Sequence, residues 1–369
     1  MLRRVLHIVG GMDRAGAETM IMNLYREIDR SQIQFDFVFF SNKKGDYEDE
    51  IYELGGRIYR ILESNPIKRT LALKNILKNH PEYKIVHSHT LLNSGLNLWA
   101  AKLAKVPKRI AHAHSTNDIS NRNFAGKLYK NFSLKMINKY ATHFIGCGQE
   151  ASSFLFPKQN NVFILPNSID IETFVSSGEN NKEYINTEFN INNTVLKIIQ
   201  VGRLQKVKNH KYSVKIARNL KDKGIKFKMF FIGQGELYNE IQEQINEQNL
   251  NEDVLLLGMR TDIPELMAGA DVMLMPSLHE GFPVVLVESQ AVGLRAIISN
   301  AIAKEVDLGL GLVNFENLER KVDVWGDQLV NSKSKNRGSR EKRLNKLKEK
   351  GFDIKSSTQV LSNIYHDMK

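Results

Sequence analysis

Short apolar runs alternate with helix-like patterns along nearly the whole chain, and this alternation constrains the fold most. A first series of strand candidates covers residues 5–9, 35–40, 85–87, 109–113 and 143–146. A second series covers residues 197–201, 228–232, 254–256, 272–275 and 295–298. Strands that alternate with helices are typical of parallel sheets covered on both faces. The sequence therefore predicts an α/β protein with two Rossmann-like, doubly wound domains.

The chain has 369 residues, which exceeds the size at which a single core usually stops growing. Residues 170–193 lie between the two series and are rich in Asn, Ser, Glu and Gly. We therefore predict an N-terminal domain over residues 1–168, a linker region over 169–194 and a second domain over 195–352. The remaining residues, 353–369, are predicted to contain a final helix, with its candidate pattern at 356–368.

The segment PSLHEGFPVVLVESQAVG, residues 276–293, reads as a strand end, a tight loop and the first turns of a helix. Gly281 and Pro283 interrupt the chain before helical periodicity begins at Val284. The first N–H groups of a helix lack internal partners and lie at the positive end of its dipole. A loop that includes Gly281, Phe282 and Pro283 therefore suits an anion such as a diphosphate.

Two glutamates, Glu280 and Glu288, flank this loop. Eight helical residues rise about 12 Å, which is wider than the roughly 5 Å between the carboxylates of a retaining glycosidase. This spacing favours a grip on the two ends of one long ligand, such as a nucleotide sugar with its diphosphate between them. The alternative is a solvated loop glutamate followed by an unrelated helix glutamate.

A basic pair follows an earlier strand candidate, in the sequence VGRLQKVKNH at residues 201–210. Arg203 offers a planar fork to phosphate oxygens, and Lys208 offers a mobile point charge. Together they could neutralise a leaving diphosphate. Because the chain has 52 Lys and Arg residues, a solvated surface pair is the alternative interpretation.

The order G-R-x4-K at residues 202–208, then E-G-F-P-x4-E at 280–288, resembles the retaining GT-B glycosyltransferases of family 4. Weaker motifs occur in the family's order, namely RVLHIV, IVHSHT (85–90), RIAHAHST (109–116), FIGCG (144–148) and LPNSID (165–170). The sequence departs from the pattern at Ser168, where the family often has glycine, and after Ile298, where NAIAKEVDLGLG replaces a glycine-rich stretch. The resemblance implies a GT-B fold whose two domains face a cleft, with the final helix crossing back to the N-terminal domain.

The resemblance also implies roles for residues that carry no strong signal of their own. His114 matches the histidine near the transferred sugar, and His89 is a weaker candidate on the acceptor side. Structural hydrogen bonding is the default interpretation of either histidine. The resemblance implies that Gly11 and Gly16 of the N-terminal loop bind the donor and that Gly233 lies in a turn beneath its diphosphate. It also implies that Gly258 and Arg260 belong to the turn that reads the base.

The implied activity is transfer of a hexose or HexNAc from a nucleoside-diphosphate sugar, UDP being favoured by family frequency, with retained configuration. The acceptor is expected to be a hydroxyl of a lipid-linked or growing glycan in extracellular or capsular polysaccharide synthesis. Arg203, Lys208 and the helix amides would stabilise the leaving group, so no metal or other cofactor is expected. The alternatives are a nucleotide-sugar epimerase or hydrolase on the same fold and, less favoured, a noncatalytic basic protein that binds nucleic acid.

The formal net charge of +11 is concentrated partly in residues 332–350, and a second basic segment spans residues 124–140. The second segment mixes lysines with aromatic residues at helical spacing, so it could lie on an anionic membrane surface. A packed helix with a solvated lysine face is the alternative. Without a membrane span or signal peptide in its pattern, and with the single cysteine Cys147, the chain is expected in the cytoplasm.

Overall fold

The computed structural model describes residues 2–115, 124–333 and 337–367. These residues divide into two compact units. The first unit contains Met1–Ser168 together with Asp353–Lys369, and the second contains Ile169–Phe352. Thr116 of the RIAHAHST motif, residues 334–336 of the first basic segment and Met368 of the final helix pattern lie outside the described residues.

The first unit is built on a parallel sheet of seven strands. The strands are β1 (Arg3–Ile8), β2 (Ile33–Phe39), β3 (Ile58–Arg60), β4 (Ile85–Ser88), β5 (Lys108–Ala113), β6 (His143–Gly146) and β7 (Val162–Ile164). Between them lie α1 (Gly16–Glu27), α2 (Glu48–Glu53), α3 (Pro66–Asn79), α4 (Ser94–Leu103), α5 (Phe124–Tyr140) and α6 (Gln149–Leu155). The strand order is 3-2-1-4-5-6-7, so the order reverses between β1 and β4.

The second unit is built on a parallel sheet of six strands. The strands are β8 (Leu196–Val201), β9 (Phe227–Ile232), β10 (Val254–Gly258), β11 (Val272–Met275), β12 (Ala296–Ser299) and β13 (Val313–Glu316). Its helices are α7 (Ile171–Asn180), α8 (Tyr184–Phe189), α9 (His210–Asp222), α10 (Tyr238–Glu247), α11 (Ile263–Gly269), α12 (Val285–Val292), α13 (Val322–Val330) and α14 (Arg340–Glu349). The strand order 10-9-8-11-12-13 reverses between β8 and β11.

Both sheets are covered on both faces by helices, as the apolar runs predicted. Separate buried clusters lie on either side of each sheet, and the central strands β2, β5 and β11 are buried throughout. A strand buried on both faces reads as a continuous apolar run rather than an alternating one. The prediction of two doubly wound α/β domains is confirmed.

Residues 169–194 differ from the predicted linker. They form α7 and α8, and buried Ile171, Val175 and Ile185 pack into the clusters of the second unit. Asp170 caps α7, since its carboxylate accepts a hydrogen bond from the amide of Thr173 at 3.2 Å. The sequence of this segment is mostly polar because only a few of its side chains are buried. Those few hold the segment against the core of the second unit.

The final helix, α15 (Ile354–His366), belongs to the first unit. Its buried side chains Leu361, Ile364 and Tyr365 join the cluster beside β1 and β2. Asp353 caps the helix by accepting from the amide of Lys355. The chain therefore returns from the second unit to complete the core of the first. Among the described residues, no helix is both long and apolar enough to cross a membrane.

Candidate active site

A polar site of the second unit lies where its strand order reverses. In open parallel sheets, the loops after the two strands that flank this point form a ligand-binding crevice. Here these are the loop after β8, residues 202–209, and the loop after β11, residues 276–284. The two loops are joined, because the Leu278 amide donates to the Val207 carbonyl at 2.8 Å and the Asn209 side chain donates to the Pro276 carbonyl at 2.9 Å.

Lys208 and Glu280 meet at this point, with 2.7 Å between Nζ and Oε1. Both side chains are largely buried, at 17% and 15% exposure. The Glu280 oxygen accepts no hydrogen bond of regular geometry among the described residues, so Lys208 meets it mainly as a charge. The sequence singled out both residues, and the structure brings them together. A phosphate arriving here would compete with Glu280 for the ammonium.

Glycines hold the Lys208 side chain and the loops in this arrangement. Gly202 has a φ of +149°, and a Cβ on it would lie 3.1 Å from Cε of Lys208. Gly233, with a φ of +141°, lies so close to the Gly202 carbonyl that a Cβ would sit 2.3 Å from its oxygen. Side chains at either position would push the loops apart. Gly233 therefore has a packing role beneath the site, in addition to the donor-binding role predicted for it.

The amino end of α12 supplies unpaired backbone donors. The amides of Leu286 and Val287 donate to Pro283 and Val284, at 3.0 and 2.7 Å. Of the amides just before them, those of Phe282, Val284 and Val285 donate to no residue that the structure describes. These groups and the helix dipole favour an anion.

The side chains of the predicted loop contribute differently from its amides. Phe282 stacks on Phe352, with ring centroids 5.4 Å apart, so its side chain serves the core. Pro283 is buried and has no amide to donate. Gly281 is exposed, and a Cβ there would meet open space. Phe282 therefore offers a ligand its backbone and not its side chain, and Gly281 leaves room for the ligand.

Glu288 lies in α12 and is half-buried. Burial raises the pKa of its carboxyl to about 7, because a charged carboxylate is poorly solvated there. Its carboxylate has no ion-pair or hydrogen-bond partner among the described residues. An unpartnered acid with a perturbed pKa is typical of a ligand-binding site.

The two predicted arginines stand in different surroundings. Arg203 is exposed, and its guanidinium has no partner among the described residues. Arg260 is instead held by Asp262, at 2.8 and 2.5 Å, and lies 3.2 Å from Glu188. The Arg260 guanidinium also lowers the pKa of Asp262 to about 2. Arg203 is therefore free to meet a ligand, whereas Arg260 fixes the turn after β10. The last residue of β10, Gly258, has a φ of +66°.

In the first unit, His89 and His114 belong to a larger cluster at the carboxyl ends of β1, β4 and β5. The rings are linked through their nitrogens, and a tyrosine of α15 joins two of them. We call this set the histidine chain, and its members are His7, His87, His89, His112, His114 and Tyr365. Gly11 precedes α1 and Gly16 is its first residue, and a Cβ on either would meet open space.

The links of the histidine chain have the lengths of ordinary hydrogen bonds. Tyr365 Oη lies 2.7 Å from His87 Nδ1, and His87 Nε2 lies 3.1 Å from His112 Nδ1. His7 Nδ1 lies 2.9 Å from His89 Nε2, and His89 Nδ1 lies 2.8 Å from His114 Nε2. Burial lowers the pKa of His7 to about 3 and that of His114 to about 4, so these rings are neutral at pH 7.

The same imidazoles are close enough to be considered as metal ligands. In each of two groups of three, one nitrogen per ring lies within 4.8 Å of the others, the groups being His7, His87, His89 and His89, His112, His114. Histidine nitrogens suit zinc and similar ions. Both nitrogens of His89 and of His87, however, already face a hydrogen-bonding partner. The expectation that no metal is needed stays a prediction.

Sequence reasoning missed His7 and Tyr365. His7 lies inside the apolar run of β1 and looked like part of its strand. Tyr365 carries no signal, because it is 278 residues from His87 and meets it only through the packing of α15.

The fold is that of the two-domain GT-B class. The crystal structure of Anabaena Alr3699/HepE in complex with UDP and glucose superposes with a TM-score of 0.74. The match covers 100% of both chains at 15% identity, so it shows the fold alone. The predicted GT-B fold is confirmed.

Sequence comparison gives the family. The family described as "Glycosyltransferase Family 4" matches residues 14–173, and "Glycosyl transferases group 1" matches residues 181–305. EpsF of Bacillus subtilis (strain 168), named as a glycosyltransferase, is 40% identical over 99% of this chain and 96% of its own. The chain belongs to the group 1 glycosyltransferases, and the predicted transferase activity is confirmed.

A second relative is the UDP-Gal:alpha-D-GlcNAc-diphosphoundecaprenol alpha-1,3-galactosyltransferase of Escherichia coli. It is 28% identical over 82% of this chain and 80% of its own length. Its name states a UDP-sugar donor and a lipid-linked acceptor for that protein.

Proposed function

We propose that this glycosyltransferase moves a hexose or HexNAc from a UDP-sugar to a hydroxyl of a lipid-linked or growing glycan, with retained anomeric configuration, in extracellular or capsular polysaccharide synthesis. The observation that carries the proposal is the Lys208–Glu280 pair at 2.7 Å beside the unpaired amides of α12. A cation, amides and a carboxylate within one crevice match a diphosphate joined to a sugar. The donor named for the E. coli relative supports UDP.

Each group of the crevice has a distinct task in this proposal. Lys208, Arg203 and the α12 amides receive the diphosphate and stabilise the negative charge that grows on it as the bond to the sugar breaks. Glu280 accepts a hydrogen bond from a hydroxyl of the transferred sugar once the diphosphate takes over Lys208. Glu288, when ionised, accepts hydrogen bonds from the ribose diol at the other end of the donor.

The proposed reaction balances without a further cofactor. The bond between the anomeric carbon and the diphosphate oxygen breaks, and a bond from the acceptor oxygen to the same carbon forms on the same face. The acceptor proton passes to an oxygen of the leaving diphosphate. Positive side chains thereby supply the charge stabilisation that a divalent ion gives other transferases.

A transfer assay tests this proposal. The protein is incubated with a panel of UDP-hexoses and UDP-HexNAcs and a GlcNAc-diphospholipid acceptor, and the product's anomeric coupling is read by NMR. We expect one α-configured UDP-sugar to give an α-linked product only when the acceptor is present. A β-linked product would contradict retention, and donor turnover without acceptor would indicate a hydrolase or an epimerase.

We also propose that α5 brings the enzyme to an anionic membrane surface, where a lipid-linked acceptor resides. Phe124, Leu128 and Phe132 follow one another at intervals of four residues and are 78%, 56% and 49% exposed. Lys127 and Lys135 are exposed on the same helix. An apolar stripe beside lysines fits a surface of anionic headgroups, to which each lysine contributes about 1 kcal/mol.

Vesicle sedimentation tests the membrane proposal. We expect the protein to pellet with vesicles that contain anionic lipid and to pellet weakly with neutral ones. The double variant Leu128→Ser, Phe132→Ser should lose this binding, whereas Ile67→Ser, which alters a 67% exposed apolar residue of α3, should keep it. Equal binding by both variants, or no binding by the wild type, would contradict a role for α5.

A further inference from the structure

The histidine chain has two arms that meet at one hydroxyl group. One arm runs from Tyr365 through His87 to His112. The other runs through His7 and His89 to His114, and begins where His7 Nε2 lies 3.5 Å from Tyr365 Oη. At the far ends, His112 Nε2 and His114 Nδ1 are buried and have no hydrogen-bond partner among the residues that the structure describes. These two rings stack with their centroids 4.0 Å apart, so the two ends of the histidine chain lie side by side.

The number of protons restricts what these ends can offer. A neutral imidazole carries one N–H and one bare nitrogen, and a tyrosine hydroxyl donates one proton. The six groups therefore have six protons for five internal hydrogen bonds. Among the described residues, Tyr365 Oη meets only His87 and His7, so its proton is used within the chain. The sixth proton then lies on one end, and the nitrogen at the other end is bare. With Tyr365 donating within the chain and every ring neutral, the two ends are never both donors or both acceptors.

The same count couples the tautomers of all five rings. If Tyr365 donates to His87, every histidine carries its proton on Nε2; if Tyr365 donates to His7, every histidine carries it on Nδ1. O–H donors make shorter hydrogen bonds than N–H donors. The 2.7 Å link to His87 therefore suits a tyrosine O–H donor. The 3.5 Å separation from His7 Nε2 is longer than an ordinary N–H···O bond, so it is left as the weaker link, in which a ring N–H donates to the tyrosine oxygen.

We propose that the histidine chain is one cooperative unit in which Tyr365 is a positioning residue that holds all five histidines as Nε2–H tautomers. His112 then ends in an N–H donor, and His114 ends in a bare Nδ1 acceptor. This donor and acceptor pair fits a single hydroxyl group, which accepts from one ring and donates to the other. That consequence for sugar binding rests on the proposed function, whereas the tautomer pattern does not.

Burial supports the neutral state on which the count depends. His7, His87 and His112 are each about 1% exposed. Burial and the neighbouring rings lower the pKa of His87, His89 and His112 well below the ordinary value. The charges that influence these rings come from the histidines themselves, among the residues that the structure describes.

Long-range ¹H–¹⁵N NMR on the full chain labelled with ¹⁵N-histidine tests the proposal, because the spectrum separates Nε2–H from Nδ1–H rings. Single His→Gln variants assign the signals. We expect the five rings at pH 7 to be neutral and all of the Nε2–H form. Opposite tautomers in the two arms would overturn the proposal, and this result needs no variant of Tyr365 to fold.

Tyr365→Phe then tests the coupling through the hydroxyl. We expect the tautomers of both arms to become mixed, while His210 in the second unit keeps its signal. Tyr25→Phe is the matched control, because it removes a buried hydroxyl that bonds to Gln34 and Leu54 and to no histidine. A change confined to His87 and His112 would overturn the proposal, since it would show that the arms are independent.

The activity of the same variant separates positioning from a purely structural role. A tautomer preference of one ordinary hydrogen bond corresponds to about a two- to tenfold change in the population of the competent state. We expect Tyr365→Phe to raise the KM of the sugar substrate by about this factor, with kcat little changed. An unchanged KM together with mixed tautomers would contradict the role assigned to the chain ends. Absence of transfer in the wild type would refute the proposed function and leave the tautomer result standing.

Discussion

Replacing Glu288 by Gln should make the second unit more stable and donor binding weaker at once. The side chain is half-buried and has no partner among the described residues, and its pKa is raised from the ordinary 4.5 to about 7. A tenfold change in this equilibrium is worth about 1.4 kcal/mol, so the ionised carboxylate costs the native state about 3 kcal/mol. Solvent that reaches the half-buried group reduces this cost to roughly 2 kcal/mol.

The sign of this effect depends on pH. The native state binds the proton more tightly than the unfolded state, so the cost is absent well below pH 4.5, grows between pH 4.5 and 7, and is fully present above pH 7. Glu288→Gln removes the charge and with it the cost. For a unit of this size, 2 kcal/mol corresponds to a rise in Tm of roughly 4–8 °C. The variant should therefore gain most at pH 8.5 and little at pH 5.

Differential scanning calorimetry of both proteins at pH 5 and pH 8.5 measures the effect, and titration calorimetry with UDP measures the loss of function. A glutamine presents one uncharged acceptor oxygen to a diol where a carboxylate presents two charged ones, so UDP affinity should fall by about tenfold. In the wild type, UDP affinity should also fall as the pH drops through 7, because Glu288 becomes protonated. An equal gain in Tm at both pH values would refute the reasoning, as would unchanged UDP affinity.

Three further substitutions have defined outcomes. Arg203→Ala should lower kcat by about 10²–10³-fold with a change in unfolding free energy below about 0.5 kcal/mol. The control Lys206→Ala, at an exposed neighbouring residue, should change neither quantity. Equal loss of activity in both variants would show a general charge effect. Gly202→Ala should lose activity and about 1–3 kcal/mol of stability, because its φ is unfavourable for alanine and its Cβ would displace Lys208. A fully active, stable variant would exclude this contact. Arg260→Ala should lose about 1–2 kcal/mol of unfolding free energy at pH 7 in a urea titration but keep UDP affinity within threefold. A large loss of UDP affinity would show that the guanidinium binds the donor.

The sequence predicted the central strands because their apolar runs are long enough to be read alone. It missed β3, β7 and β13, which are short edge strands whose residues stay partly exposed. Edge strands are buried on fewer sides, and these three carry no continuous apolar run. The edge strand β10, with the sequence VLLLG, keeps such a run and was predicted. The helices α7 and α8 were missed for a related reason, since a few buried anchors in a polar segment leave no clear period.

Lys208 and Glu280 could be identified because the reversal point of a doubly wound sheet brings loops together that are distant in sequence. Their direct contact at 2.7 Å, and the role of Gly202 beneath the lysine, depend on side-chain packing that no spacing encodes. Arg260 shows the opposite case, because its motif position suggested a ligand contact while Asp262 holds its guanidinium. Tyr365 depends wholly on how α15 packs, and so it was beyond sequence reasoning.

The most direct test of the central claim is the binding of UDP to the wild type and to Lys208→Ala by titration calorimetry, with Lys206→Ala as the control. A hydrogen bond to a charged group is worth about 1.5–3 kcal/mol, so loss of Lys208 should weaken binding by at least tenfold while the control binds as the wild type does. Failure of the wild type to bind UDP, or equal affinity in Lys208→Ala, would contradict the claim that the crevice of the second unit holds the donor diphosphate.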